Sequence, residues 1–211
     1  MNTYMVKQLV YRDFRAYSVQ IIGLSIFMLV LSMFITFVNT HTLRIFTSGI
    51  GNIIMVVIGS FAMEQADNVV RMHTASLPVS RKEIVTARYI SALLIVVVNT
   101  ILHFVVFNLL EPRIHEDPQY TSPGLFVYAM MYGVFQLSIY YLIFYRVNLM
   151  MAVIIFVLPA VLWTTISQGA DFIKADIAEN TTYLLLFCAA VLIVFSGSYL
   201  LTVRYFNQKE L

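Results

Sequence analysis

Six stretches of this chain contain no Asp, Glu, Lys or Arg: 16–43, 45–63, 89–110, 118–145, 147–170 and 180–203. The shortest, 45–63, has 19 residues, so each can hold the roughly 20 apolar residues that cross a bilayer core. Soluble domains are about 25% charged. Here charged residues make up 11% of the chain and hydrophobic ones 60%. A soluble fold of that composition would expose large apolar patches. The runs are continuously apolar and do not alternate with period two, which argues against a membrane β-barrel. The expected fold is an all-α integral membrane protein, a single transmembrane domain over 1–211. Its six helices are expected at about 19–38, 45–63, 84–110, 124–145, 149–167 and 183–203. The first run is full length and lacks a cleavage signature, so it reads as a retained span and not a signal peptide.

Six crossings place both termini on one side. With the N-terminus inside, Lys7, Arg12, Arg15, Arg71, Arg81, Lys82, Arg88, Arg146, Arg204 and Lys209 are internal, and Arg44, Arg113 and Lys174 external. That is 10 against 3 of the 13 basic residues. The excess of Lys and Arg on the cytoplasmic side of membranes then puts both termini in the cytoplasm.

Ahead of the first span, Val6, Leu9, Val10, Phe14 and Tyr17 recur at helical spacing, with Lys7, Arg12, Asp13 and Arg15 between them. This pattern predicts an N-terminal interfacial helix on the inner membrane surface in preference to a plain polar extension. Between the second and third spans lies the longest charge-rich interval, Glu64 to Arg88. Glu64, Asp67 and Asn68 mark the exit from the membrane, and Val69, Val70, Met72 and His73 suit one face of a short helix. Pro78 ends it, because Leu77 before it is biased toward extended backbone. Ser80, Arg81, Lys82 and Glu83 then form a capping box, in which Ser80 and Glu83 each satisfy the other's amide. From there a helix is expected to run unbroken to about Leu110, roughly 45 Å at 1.5 Å per residue. The outer loop Glu111 to Pro123 shows no regular pattern.

Polar residues in spans face protein or water. Asn99 and His103 are i,i+4 neighbours in the third span, serving either a substrate path or interhelical hydrogen bonding, with the second favoured. Gln136 and Tyr140 form a similar pair in the aromatic fourth span, suited to a cargo groove or to ordinary packing. Pro159 kinks the fifth span, and Trp163 lies near its outer end. These six residues are the candidate path lining.

Several chemistries are missing. No GxxxxGK[ST] is present, so the chain has no P-loop for ATP hydrolysis. No catalytic residue is indicated. His41, His73, His103 and His115 fall at different depths, and the one cysteine, Cys188, lies in an apolar run, so no metal site is expected. The apolar runs hold no ionisable carboxylate or amine, which argues against a proton- or sodium-driven carrier. Energy for any transport must come from a partner.

The run Leu77-Pro78-Val79-Ser80-Arg81-Lys82-Glu83-Ile84-Val85, continuing to Ala87-Arg88-Tyr89 and preceded by Glu64, resembles the loop after the second span of bacterial type-two ABC transporter permeases. In that family the pattern reads "slP-v-sR-eiv-aKy", with a lysine where Arg88 stands. Leu9-Val10-Tyr11-Arg12-Asp13-Phe14-Arg15 is similar to the family's opening helix. These residues occupy about a sixth of the chain. The resemblance implies an ABCG-like permease in the bacterial plasma membrane, paired as a homodimer or paralogous heterodimer around the cargo path. It also implies a cytoplasmic coupling helix near Asp67 to Ser76 that docks on a separate ABC ATPase. The ATPase contact falls to Glu64, Asp67, Asn68, Val70, Arg71, Leu77, Pro78, Val79, Ser80, Arg81, Lys82 and Glu83. This chain would carry no cofactor; ATP and magnesium would belong to the partner. Membrane lipid is the other expected partner, and nucleic acid is not one. Such permeases export lipids, antibiotics or amphipathic peptides, with phenol-soluble modulins and antimicrobial-peptide resistance as the suggested branch. Two other readings stand beside it: a substrate-binding membrane subunit of a vitamin-uptake ABC complex, and a non-transport assembly factor or sensor.

Overall fold

The computed structural model describes residues 3–38, 80–114, 123–144 and 180–208. They form four helices and, among the described residues, no strand. The helices are α1 (Thr3–Val38), α2 (Arg81–Ile114), α3 (Pro123–Phe144) and α4 (Thr181–Gln208). The second and fifth expected spans, and Glu64 to Val79, lie outside the described residues.

Two helices contain segments long and apolar enough to cross a membrane: Arg81–Val106 in α2 and Thr181–Tyr205 in α4. A shorter apolar segment, Phe126–Leu142, forms most of α3. The fold is inverted relative to a soluble one. Val98, Ile101, Val105, Leu185, Ile193 and Leu200 are exposed, whereas Ser91, Asn99, Thr100, His103, Ser138, Ser198 and Thr202 are buried. A lipid solvent accounts for this, since it welcomes apolar side chains and leaves polar ones to find partners inside.

Register shows how the helices run. Tyr141 stacks on Tyr89, Gly133 lies against Val96, and Phe126 meets Phe104. Going along α3 therefore means going back along α2, and the two are antiparallel. Tyr128 stacks on Phe187, and the Ser138 carbonyl accepts from Ser198 Oγ, so α3 and α4 are parallel. On the other side, Val6 and Leu9 of α1 pack with Ala87, Asp13 reaches Arg88, and Phe14 and Ile21 join the main core. Both α1 and α2 thus enter the core from their N-terminal ends.

Two boundaries differ from expectation. Residues 3–17 are not a separate surface helix: α1 is continuous over 36 residues, about 54 Å at 1.5 Å per residue. Its first apolar stripe lies on α2, where Val6, Leu9 and Val10 pack with Ala87 and Ile84. A helical neighbour therefore covers what the sequence assigned to the membrane surface. The second difference is at the far end of α2, which runs past Leu110 to Ile114. Pro112 lies two residues from this end, so the bond it cannot donate and the crowding of its ring fall on the last turn alone. By contrast, α3 begins at Pro123 within one residue of expectation; proline suits a first helical position because its missing donor would be unpaired there anyway.

Candidate functional site at the charged end of the bundle

The N-termini of α1 and α2 and the C-termini of α3 and α4 share one end. Of the described basic residues, Lys7, Arg12, Arg15, Arg81, Lys82, Arg88 and Arg204 belong to this end and Arg113 to the other.

The foot of α2 is capped as its sequence requires. The Ser80 amide donates to Glu83 Oε2 at 3.0 Å, and the Glu83 amide to Ser80 Oγ at 3.3 Å. The Ser80 carbonyl accepts from the amides of Glu83 and Ile84 at 2.9 and 3.2 Å. The Ser80 amide, which has no helical partner, is satisfied, the Glu83 amide gains a second acceptor, and a carboxylate sits at the positive end of the helix dipole. Lys82 is exposed, while Glu83 is buried beneath the first turn.

One turn further on, Arg88 faces α1. Its Nε lies 3.7 Å from Asp13 Oδ2, and both side chains are nearly enclosed, at 10% and 5% exposure. The other oxygen, Asp13 Oδ1, accepts from Arg12 Nη2 at 3.0 Å. The backbone carbonyl of Arg88 accepts from the Tyr141 hydroxyl at 3.1 Å, which ties the same residue to α3.

Tyr89, next in sequence, turns the other way. Its ring stacks on Tyr141 with centroids 4.3 Å apart, and it meets Phe195 and Tyr199 edge-on. Its hydroxyl lies 2.8 Å from Ser198 Oγ and 3.0 Å from Thr202 Oγ1. Ser198 Oγ also donates to the Ser138 carbonyl at 2.6 Å, and Thr86 Oγ1 lies 2.8 Å from the Tyr199 hydroxyl. The first three turns of α2 are therefore fastened to α1 by charge, to α3 by a stack and a hydrogen bond, and to α4 by a hydroxyl cluster. Among the described residues the site is a joint between four helices.

The residues singled out from sequence are distributed as follows. Ser80, Arg81, Lys82 and Glu83 stand at this joint. Glu64, Asp67, Asn68, Val70, Arg71, Leu77, Pro78 and Val79, together with Pro159 and Trp163, lie outside the described residues. Asn99 and His103 are buried, but their bonds stay in their own helix: Asn99 Nδ2 donates to the Ile95 carbonyl, and His103 Nδ1 lies 2.9 Å from the Asn99 carbonyl. His103 Nε2 is buried and has no hydrogen-bond partner among the described residues. Gln136 is half-buried and bonded to Tyr132. Tyr140 belongs to the core, edge-on to Tyr141. No group of His, Cys, Asp and Glu among the described residues could hold a metal ion.

Sequence reasoning passed over Asp13, Tyr89, Ser138, Ser198 and Thr202. For Asp13 a signal existed. Val6, Leu9 and Asp13 recur at i, i+3 and i+7, so the carboxylate lies in the apolar stripe and needs a buried partner.

A family model described as ABC-2 family transporter protein matches residues 8–207, which span α1 to α4. The chain belongs to the ABC-2 transporter family. It is a membrane permease subunit of an ABC transporter, and the membrane subunits of this family work with an ATPase partner. Comparison with curated proteins and with solved structures gives no significant match.

Proposed function

We propose that this chain is the permease of an ATP-driven exporter in a bacterial plasma membrane, paired with a second permease copy. The observation that carries this reading is the foot of α2, where the capping box, the Asp13–Arg88 pair and Tyr89 join one helix to the three others. An ATPase pressing on the segment from Glu64 to Val79 would move a rod already gripped on three sides. Helix α2 is 34 residues long, about 51 Å at 1.5 Å per residue, so displacement at its foot reaches the far side of a bilayer. ATP and magnesium act in the partner subunit, and this chain converts the movement into a change of path.

Topology supports the six-span reading. Helices α1 and α2 run one way and α3 and α4 the other, so the chain must return between the members of each pair. Each intervening stretch holds a charge-free window, 45–63 and 147–170. The grouping of basic residues at one end supports cytoplasmic termini. Aromatic and apolar surfaces suit an amphipathic cargo such as a lipid, an antibiotic or a peptide, with Asn99, His103, Gln136, Tyr140, Pro159 and Trp163 as the residues to test along its route.

The test is to copurify the tagged chain with its ATPase and measure export before and after deleting Val69 to Ser76, or after Leu77→Asp. Both variants should insert in the membrane and lose export together with ATPase contact. Unchanged export with unchanged ATPase binding would refute the assignment of that segment, and absence of any ATPase from the purified protein would refute the permease reading itself.

A further inference from the structure

The contact between Asp13 and Arg88 is a poor choice if adhesion between α1 and α2 is all that is required. Burying two charges carries a desolvation penalty, and apolar side chains of similar volume in place of such a pair are often neutral or stabilising. Apolar adhesion is already present. Val6, Leu9 and Ala87 pack on one side of the pair, and Phe14 and Ile21 reach the main core on the other.

What apolar contacts do not supply is axial register. They are non-directional, and a helical stripe repeats about every turn, so sliding by one turn, about 5.4 Å, exchanges one apolar contact for another. The ion pair does not repeat. One turn either way along α2, Asp13 would face Ile84 or Ala92, both lodged in apolar clusters. Asp13 would then keep only Arg12, on its own helix, and its enclosed Oδ2 would face apolar side chains with no cation opposite, which disfavours the slip.

We infer that Asp13 is a positioning residue that pins the axial register of α1 against α2 through Arg88, so that the two parallel helices move as one rod. The pinning itself follows from the packing alone; only its use, in passing ATPase movement to α1, rests on the permease reading above. The Tyr141 hydroxyl on the Arg88 carbonyl extends the same fixed point to α3.

The test uses full-length protein in lipid, with Cys188 replaced by Ala and spin labels on cysteines at Lys7 and Val98, both exposed. Double electron–electron resonance then reads the distance along the two helices. The unpinned variant is D13L/R88M, which keeps the volume and removes both charges of the pair, so it should still fold. Expected are a single distance in the parent chain, a second population displaced by about one helical turn, 5.4 Å, in D13L/R88M, and the single distance again in R88K. One unshifted distance in D13L/R88M overturns the pin. Transport by the same variants, assembled with the ATPase, should fall to background in D13L/R88M and persist in R88K. A slipped register with full transport would overturn the claim that the helices must move together. A parent chain that shows one distance but neither ATPase nor transport would end the permease reading and leave the pin standing.

Discussion

Tyr89 lies face to face with Tyr141, ring centroids 4.3 Å apart and planes 22° from parallel. The stack joins α2 to α3 while the Tyr89 hydroxyl, beyond the ring, joins α2 to α4 through Ser198 and Thr202. One side chain thus makes two kinds of contact that substitution can separate. Tyr89→Phe keeps the ring and removes the hydroxyl, and should cost about 1 kcal/mol, in line with interhelical hydrogen bonds in membranes. Tyr89→Ala removes the ring as well and should cost about 3–5 kcal/mol, the range for deleting a buried aromatic. Equilibrium unfolding in mixed micelles measures both. Equal losses would mean that the hydroxyl cluster, and not the stack, secures the joint.

Ser138 and Ser198 look alike in sequence and differ in the structure. Ser138 Oγ donates within its own helix, to the Val134 carbonyl at 2.7 Å. Ser198 Oγ crosses to the Ser138 carbonyl and also partners Tyr89. Ser138→Ala should therefore change stability by less than about 0.5 kcal/mol, since a bond back to the i−4 carbonyl links no two helices. Ser198→Ala should cost about 1–2 kcal/mol, because it removes a buried bond between α4 and α3 and one partner of the Tyr89 hydroxyl. Thermal melting of the two purified variants side by side gives the comparison, and the reverse order would contradict the assigned donors.

A Cβ built at Gly133 would lie 3.0 Å from Val96 Cγ1. Small residues in membrane bundles permit this kind of close approach. Gly133→Ala should force α2 and α3 apart at a cost of about 1–3 kcal/mol, the usual range for overpacking. Val96→Ala alone should also destabilise, by leaving a void. Combined, the two should recover part of the loss, with a coupling of at least about 0.5 kcal/mol in a double-mutant cycle. Strict additivity would place the two helices further apart than the structure does.

These contacts mark how far the sequence reaches. The absence of charge from long runs announced a membrane protein, and the Ser80–Glu83 spacing announced the cap of α2, because both depend on residues close together in the chain. The start of α3 was legible for the same reason. The partners of Tyr89 were not, since Ser198 and Thr202 are more than a hundred residues away and single hydroxyls in apolar runs carry no spacing signal. Asn99 and His103 were read correctly as one face of a helix. Their polar groups nevertheless bond to carbonyls of their own helix, an outcome that spacing alone does not distinguish from a cross-helix bond. Residues 3–17 were amphipathic as expected, but a stripe of apolar residues does not reveal whether lipid or a neighbouring helix covers it. Asp13 within that stripe was the clue that a protein partner, bearing a cation, lay opposite.

The capping box yields a prediction about movement as well as stability. Ser80→Ala should cost about 1 kcal/mol and Ser80→Asp much less, because Asp also accepts from the first-turn amides and complements the helix dipole. Glu83→Gln retains the acceptor and should be mild; Glu83→Ala removes it and should loosen the first turn. The effect should be local, since Tyr89, two turns on, is held by α3 and α4. Hydrogen exchange followed by mass spectrometry would show faster exchange at the amides of 80–84 in Ser80→Ala and Glu83→Ala, with protection beyond Tyr89 unchanged. If α2 transmits force from its foot, a frayed first turn should reduce transport per ATP hydrolysed while the rest of the bundle melts at its usual temperature. Faster exchange spreading past Tyr89 would instead show that the cap supports the whole helix and not its first turn alone.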